Sequence, residues 1–554
     1  MDRDLARVWG PVRAESMRAA FAKSGAPNAT EASARAATAL DAYAASWVAA
    51  RREACEATHV HGDQSGELLD LRVTCLHRRL ASLDALVDVF VDAPTDVVVK
   101  NAVRATSRLD GLTGCADAEA LRSVIPPPAD AATRVAVEGI RQRIAAATAI
   151  GRTGQFVKAH PVSLETVEEA KSLAYAPLLA EALHRLALIE SYVGDLPASE
   201  ATLRAALLAA SDAHDDHLVA RVYTDLLYTI GDLQGRPAEA LALRVAAEAA
   251  FRRTNGDAEL EANLYTAFGR TLWAAGQYEE SVTTFERALR ITEQASGKHS
   301  SAVARILTGL ANVLQDLERY DEALLHHERA LAIWSAMHGP DHADVIVAQA
   351  NIANVYQNKG DHVGAVARYE AVRDGFSRSL GADNVMVASA LLNLGNSLSA
   401  LGRYDEAITN LERAIQIQVK ALGPAHTDIA LSLMGLGKVY YRSDRYPQSI
   451  ANYRKAIEIY EANGQGESVL IAAPLSGLAE SLRLTRAFDE ALAVAERTVK
   501  IREATESTAA EVASARMNLG HTLLDAGRQR ERARRLVSDA RAALLAAGDA
   551  GNAH

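Results

Sequence analysis

The sequence predicts an all-α chain in which an N-terminal helical domain precedes a solenoid of about ten helix-turn-helix repeats. Three observations carry this. Tyr278, Tyr320, His362, Tyr404, Tyr446 and Phe488 follow one another at intervals of 42 residues, and a fixed period of that length marks one supersecondary unit repeated many times. Strand-type alternation is nearly absent, and the best apolar run, Val97-Val98-Val99, lies inside a helical pattern. Hydrophobic residues make up 49% of the chain but aromatics only 5%, so Ala and Leu fill the interior, as they do where helices pack closely.

Residues 1–125 lack the 42-residue pattern and read as helices over roughly 3–23, 29–57, 66–92 and 95–108, with a shorter one from 116. Gly25-Ala26-Pro27-Asn28, a hairpin tip at His61-Gly62-Asp63 and Asp92-Ala93-Pro94 separate them. Pro126-Pro127-Pro128 stops helix propagation, which makes 126–130 a stiff spacer and a domain boundary. Degenerate repeats are expected over 131–260, where Gly154-Gln155-Phe156, Gly194-Asp195-Leu196 and Gly235-Arg236-Pro237 are looser copies of Gly276-Gln277-Tyr278. Regular repeats occupy 261–525, and a last copy at Gly527-Arg528-Gln529 opens a capping helix and tail over 526–554.

Within a regular unit, Val387, Ala390, Leu391, Leu394 and Leu398 recur at helical spacing, Gly402 ends that helix, and Ala407, Ile408, Leu411, Ile415 and Ile417 line the next. Three residues after each landmark stands a small side chain: Ser281, Ala323, Ala365, Ala407, Ser449, Ala491. Small residues there let the two helices approach. Gly297, Gly339, Gly381 and Gly423 form a second ladder, placed where a helix end turns into the left-handed region.

A third ladder is polar and is not required by packing: Arg270, Asn312, Asn354, Asn396, Lys438 and Glu480, again 42 apart. Asn351 and Asn393 add a row three residues earlier, and Asn351, Asn354 and Asn358 share one helix face, apart from the apolar face of Ile352, Val355 and Tyr356. An amide offers one acceptor and two donors, matching the backbone of an extended peptide. The expected peptide-binding set is therefore Asn312, Asn354, Asn396, Asn351 and Asn393, with Arg270, Arg305, Gln315, Gln357 and Lys438 reading side chains. The competing reading is that the amides tie the repeats together.

Net charge is −11, which argues against nucleic acid as the main partner, since phosphate contacts need a basic field. No segment reaches 18 consecutive apolar residues and the start lacks a secretory apolar core, so no membrane insertion is expected. A complete chain of this kind belongs in the cytoplasm. The three cysteines are either packed thiols of a reduced protein, or Cys55 and Cys75, which flank the hairpin tip, form a disulfide and Cys115 needs a partner from outside.

Asp212, His214, Asp215, Asp216 and His217 lie in a polar loop between repeats, and Arg528, Arg530, Arg532, Arg534 and Arg535 decorate the last helix. The first group is a weak metal candidate, and the second a solvated face with an acidic partner as the alternative. No nucleophile or carboxylate pair is convincingly placed for catalysis. The expectation is a non-enzymatic scaffold without cofactor that binds a protein or extended peptide.

The repeat resembles the tetratricopeptide repeat. With Tyr404 as the aromatic of the motif, Gly395, Ala407 and Ala414 fall on its small positions, and the links Gly339-Pro340-Asp341-His342 and Gly423-Pro424-Ala425-His426 are similar to those of the 42-residue, kinesin-light-chain-like subclass. The resemblance implies a right-handed superhelix with the first helices lining a concave, partner-binding surface. Leu40-Asp41-Ala42-Tyr43, Trp47 through Thr58, Leu68 through Arg72 and Cys115-Ala116-Asp117 resemble the region after the kinase domain in myxobacterial-type serine/threonine protein kinases. That implies a sensing or regulatory segment preceded in the family by a kinase domain and often a membrane span, with an extracytoplasmic place open to a fragment of such a kinase, and a further upstream cysteine able to pair with Cys115. No glycine-rich phosphate loop, His-Arg-Asp or Asp-Phe-Gly is present, so this chain does not transfer phosphate itself.

Overall fold

The computed structural model describes residues 2–548 other than 27, 93, 255, 506 and 547, with side chains from residue 4 onward. The expected breakers Pro27 and Ala93, and the tail from 549, fall outside the described residues. Among those described there is no strand. The chain divides into two compact units, Met1–His338 and Gly339–His554.

The first unit begins with helices Asp2–Val8, Pro11–Lys23, Ala29–His59, Gly66–Asp92 and Asp96–Ser107, a short turn of tighter helix at Thr113–Cys115, and Ala118–Ser123. The single helix expected over 3–23 is two. Pro11 has no N–H to give and its ring would collide with the preceding turn, so Pro11 opens the second helix. Trp9, Met17, Phe21, Leu40, Trp47 and Phe90 form the core. Phe21 meets Phe90 edge-on at 5.6 Å, and the indole N–H of Trp47, fully buried, donates to the Leu76 carbonyl at 2.7 Å.

The pairing expected between Cys55 and Cys75 is not formed. Cys75 is bonded to Cys115, with Cα atoms 5.5 Å apart, and Cys55 is free. The hairpin register decides this. Trp47 lies level with Leu76, and Glu53 reaches Arg72 at 2.6 Å, which sets Cys75 opposite the stretch Val48–Ala50, more than a turn from Cys55. Cys115 thus finds its partner within the chain.

Five helix pairs complete the first unit: Ala131–Arg152 with Phe156–Ser172, Ala176–Val193 with Leu196–Asp212, Asp216–Leu226 running on through Leu227–Leu233 with Pro237–Leu241 and Arg244–Arg252, Ala258–Ala274 with Tyr278–Ser296, and Ser301–Asp316 with Tyr320–His338. Five more form the second: Ala343–Asn358 with His362–Leu380, Val385–Ala400 with Tyr404–Leu422, Thr427–Arg442 with Tyr446–Ala462, Val469–Leu484 with Phe488–Ala504, and Ala509–Asp525 with Arg530–Ala546. In each pair the first helix is called A and the second B, and the pairs are repeats 1 to 10.

The small-residue ladder runs through all ten. Ala159, Ser199 and Ala240 in the early repeats, and Ala533 in the last, are as completely buried as Ala323 or Ala407. Where the residue is serine, its hydroxyl is satisfied across the pair: Ser199 donates to the Ala187 carbonyl at 2.8 Å, Ser281 to Gly269 at 2.7 Å and Ser449 to Gly437 at 2.9 Å. Gly395 faces this contact from the A helix, where an added Cβ would stand 2.7 Å from Leu411 Cγ. Gly402, at φ 75°, turns the chain between the two helices.

Successive A helices within a unit touch one another as well as their B partners, as Ala258–Ala274 does with Ser301–Asp316 and Val385–Ala400 with Thr427–Arg442, while successive B helices stand further apart. Each array therefore curves with its A helices inside.

The N-terminal helices are fixed to the first repeats by Asp110. Its carboxylate accepts from Arg185 at 3.0 and 3.1 Å and pairs with Arg152 at 3.1 Å and Arg79 at 3.4 Å, while its carbonyl accepts from Tyr43 at 3.0 Å. Burial alone would raise this carboxyl, but Arg185, Arg152 and Arg79, with Arg221 behind them, hold it well below the usual carboxylate range.

Two outcomes follow. Gly395→Val overfills the helix crossing and costs about 1–3 kcal/mol, read as a lower urea midpoint. Asp110→Asn leaves three guanidinium groups without their counter-ion and costs about 3–5 kcal/mol at pH 7, read by thermal melting. Because the folded value is depressed, the contribution is complete above about pH 4 and fades as pH falls through the folded value, so the wild type and the variant converge in strong acid.

Candidate functional site

The polar ladder lies on the A helices and so on the inner face of each array. The structure divides the predicted residues into engaged and open groups. Tyr369, on the B helix of repeat 6, is fully buried. Its hydroxyl lies 2.5 Å from Asn354 Oδ1 and 2.7 Å from the Gln357 amide. A phenol has one proton, so it donates to Asn354 and accepts from the Gln357 amide turned end for end. Burial raises the Tyr369 pKa far above its ordinary value.

Repeat 5 repeats the device with a different buried group. His327 stands at the position of Tyr369 one period earlier, is 1% exposed, and meets the Gln315 amide at 3.1 Å, while Gln315 donates to Asn312 at 3.4 Å. Burial, and then the neighbouring His326, push the His327 pKa down to about 4. The ring is neutral at pH 7 and its Nε2 accepts from the amide. Phe285 holds this position in repeat 4 and asks nothing of the A helix.

Arg270 is also engaged. It donates to Asp232 at 2.6 Å and lies over the Tyr228 ring at 5.2 Å. Asp232 reaches it because Leu227–Leu233 is a π-helical turn, wider than an α turn by one residue, which brings Tyr228 and Asp232 onto the inner face. At the far end of the ladder Glu480 accepts from Tyr441 at 2.8 Å.

Asn351, Asn393, Asn396 and Lys438 form the open group in the second unit. The three asparagines are half-buried and Lys438 is exposed. Among the described residues none of the four has a hydrogen bond or ion pair within the chain. They lie on three consecutive A helices and are flanked by Val347 and Leu431, large apolar side chains left 36% and 49% exposed. Gly435 leaves room for Asn396 on the neighbouring helix, since an added Cβ would come within 3.3 Å of Asn396 Oδ1. Arg305 is the open member in the first unit. The side chain is exposed and lines a small cleft with Glu259 and Ile306, and surrounding protein and then Arg108 lower its pKa.

The loop candidate for metal binding does not converge. His217 lies 3.1 Å from Asp117, Asp216 takes Arg253 at 2.6 Å, and Asp215 caps its own helix. In the C-terminal arginine group, Arg528 pairs with Asp489 at 2.7 Å and Arg532 with Glu496 at 3.1 Å, tying repeat 10 to repeat 9.

The tetratricopeptide repeat model matches residues 233–294, 302–378, 344–415 and 386–462. Residues 233–462 are built of tetratricopeptide repeats. No curated protein matches the sequence. Among solved structures, the chain is similar to the Q17M form of a Podosopora anserina putative kinesin light chain with nearly identical TPR-like repeats, at 22% identity over 37% of this chain and 98% of that one, TM-score 0.34. It is similar to BtubC from P. vanneervenii at 21% identity over 48% and 92%, TM-score 0.30. It is also similar to the apo form of RapI at 14% identity over 71% and 99%, TM-score 0.46. Tetratricopeptide solenoids generally mediate protein binding, and no helix described here is long and apolar enough to cross a membrane.

The engaged tetratricopeptide residues generate a pH prediction. A buried histidine that is neutral when folded loses stability as pH falls from about 6.5 toward 4, by up to about 3 kcal/mol. His327→Phe, which copies the neighbouring repeat, is expected to shrink the fall in melting temperature between pH 7 and pH 5, with the rest left to other buried histidines such as His184, checked by melting wild type and variant at both pH values.

Proposed function

We propose that the second unit is a receptor for an extended peptide, laid along the inner face over Asn351, Asn393, Asn396 and Lys438. The observation that supports it is the row of open amides on consecutive A helices. A buried amide without a partner costs free energy, and half-buried amides flanked by exposed Val347 and Leu431 offer a peptide backbone its hydrogen bonds and its side chains an apolar bed. Asn354 and Gln357 hold the track in shape through Tyr369. Such a receptor needs no catalytic group, and the chain acts as a partner-recruiting scaffold.

The resemblance of the N-terminal segment to kinase-adjacent regions favours a placing of this module in serine/threonine-kinase signalling, as a sensor or as a restraint on a kinase domain of the same polypeptide. The reading frame decides that version: a frame without a kinase domain removes the intramolecular restraint.

The receptor reading is tested by selecting peptides from a displayed library on the full chain and titrating the best one against N351A/N393A/N396A. Binding is expected to weaken at least tenfold with an unchanged melting temperature. Equal affinity of the folded triple variant sinks the assignment.

A further inference from the structure

The inner face of the first unit carries a different chemistry. It already binds a carboxylate, that of Asp110, which reaches the A helices of repeats 1 and 2 from the loop after Asp96–Ser107 and is held there by Arg152 and Arg185. The same loop continues onto repeat 4, where the backbone at Gly111 lies against the Glu259 carboxylate, 2.9 Å from where a Cβ would stand. Glu259 and Arg305 line one small cleft between repeats 4 and 5.

Beside Asp110 the face carries guanidinium groups whose N–H donors make no hydrogen bond among the described residues. Arg108 is exposed and lies 6.0 Å from the centre of the Tyr192 ring. Phe156 stacks on Tyr192 at 4.3 Å with the planes 9° apart. With its rings engaged, Tyr192 is still 54% exposed, as Tyr228 is 37%, and what these two offer is their hydroxyls. Arg108, Arg221 and Arg305 have no hydrogen bond or ion pair among the described residues, whereas Asp232 is taken by Arg270 at 2.6 Å. The repulsion is mutual, since Arg108 lowers the pKa of Arg305. Arg221 stands near Asp110 and Arg305 near Glu259, and with Arg108, Arg152 and Arg185 the guanidinium groups here outnumber the carboxylates they face, a local positive field in a concavity.

We propose that the inner face of repeats 2 to 5, closed on one side by Arg108, is a second binding site, for an acidic peptide segment whose carboxylates are taken by Arg108 and Arg305. The inference deepens the receptor reading by naming an acidic class of partner, but it concerns other residues in the other unit. Asp110 is the internal precedent: a carboxylate on a loop, bound by arginines of A helices. A peptide continues the row from repeat 2 to repeat 5, its side-chain carboxylates accepting from guanidinium forks, where bonds to a charged acceptor are short and strong, and from the phenols of Tyr192 and Tyr228.

The probe is a fluorescein-labelled octaglutamate titrated by anisotropy against the full chain, beside octalysine and a single-stranded oligonucleotide of the same length. Octaglutamate is expected to bind and octalysine not. Arg108→Gln with Arg305→Gln is expected to weaken octaglutamate at least tenfold, and Arg305→Glu alone, at an exposed side chain, to do likewise. Arg530→Gln with Arg535→Gln, on the exposed last helix, is expected to leave binding unchanged. The proposal is overturned if octaglutamate does not bind, if the folded Arg108/Arg305 variants bind it as well as the wild type, or if the last-helix variant loses as much. A tighter oligonucleotide with the same arginine dependence overturns the peptide assignment in favour of a nucleic acid. Undiminished binding of the selected peptide by the folded N351A/N393A/N396A variant, with octaglutamate behaving as expected, strikes the receptor track and leaves this site standing.

Discussion

The close crossing of the two helices in each pair is the constraint on which everything else hangs. At Ala407, Ser449 and their eight counterparts the B helix presents almost nothing beyond a Cβ, so the helices meet along their backbones and the long side chains are pushed to the edges of the contact. Apolar ones fill the space between pairs. Polar ones on the A helix have nowhere to go but the inner face. The polar inner face is thus a by-product of packing.

Where a polar side chain stands at a buried position of the B helix, the A-helix amides answer it. Phe285, His327 and Tyr369 occupy the same position in three repeats. The phenylalanine needs no partner; the histidine draws in Gln315, and the tyrosine draws in Asn354 and Gln357. The asparagine ladder is therefore not uniform: Asn312 and Asn354 tie the structure together, while Asn396 is left open. A different economy holds in the first unit, where Asp110 gathers three arginines and fixes the N-terminal helices against repeats 1 and 2. That cluster holds three guanidinium groups on one carboxylate, with Glu181 and Asp225 also acting on Arg185.

Much of this was legible in the chain alone. The 42-residue interval, the small residue three positions past each landmark and the helix-ending glycines led directly to helix pairs, because these features depend only on local geometry and repeat identically. The fainter early repeats were legible too, since Ala159, Ser199 and Ala240 keep the small position although their landmarks drift. The split of the first helix is written in Gly10-Pro11, since a proline opens a helix more readily than it continues one.

What the sequence by itself determined was the class of the fold, the spacing of its units and the face on which polar residues would gather, for periodicity translates into direction without knowledge of distant contacts. Only the tertiary structure decided which thiols bond, because the register of two long antiparallel helices is set by Trp47 on Leu76 and Arg72 on Glu53, not by the midpoint of a turn. It alone decided which asparagines are occupied, because that depends on the residue buried on the partner helix. And it alone brought Arg108, Tyr192 and Arg305 to one face, since long-range folding of a loop onto an array leaves no periodic trace.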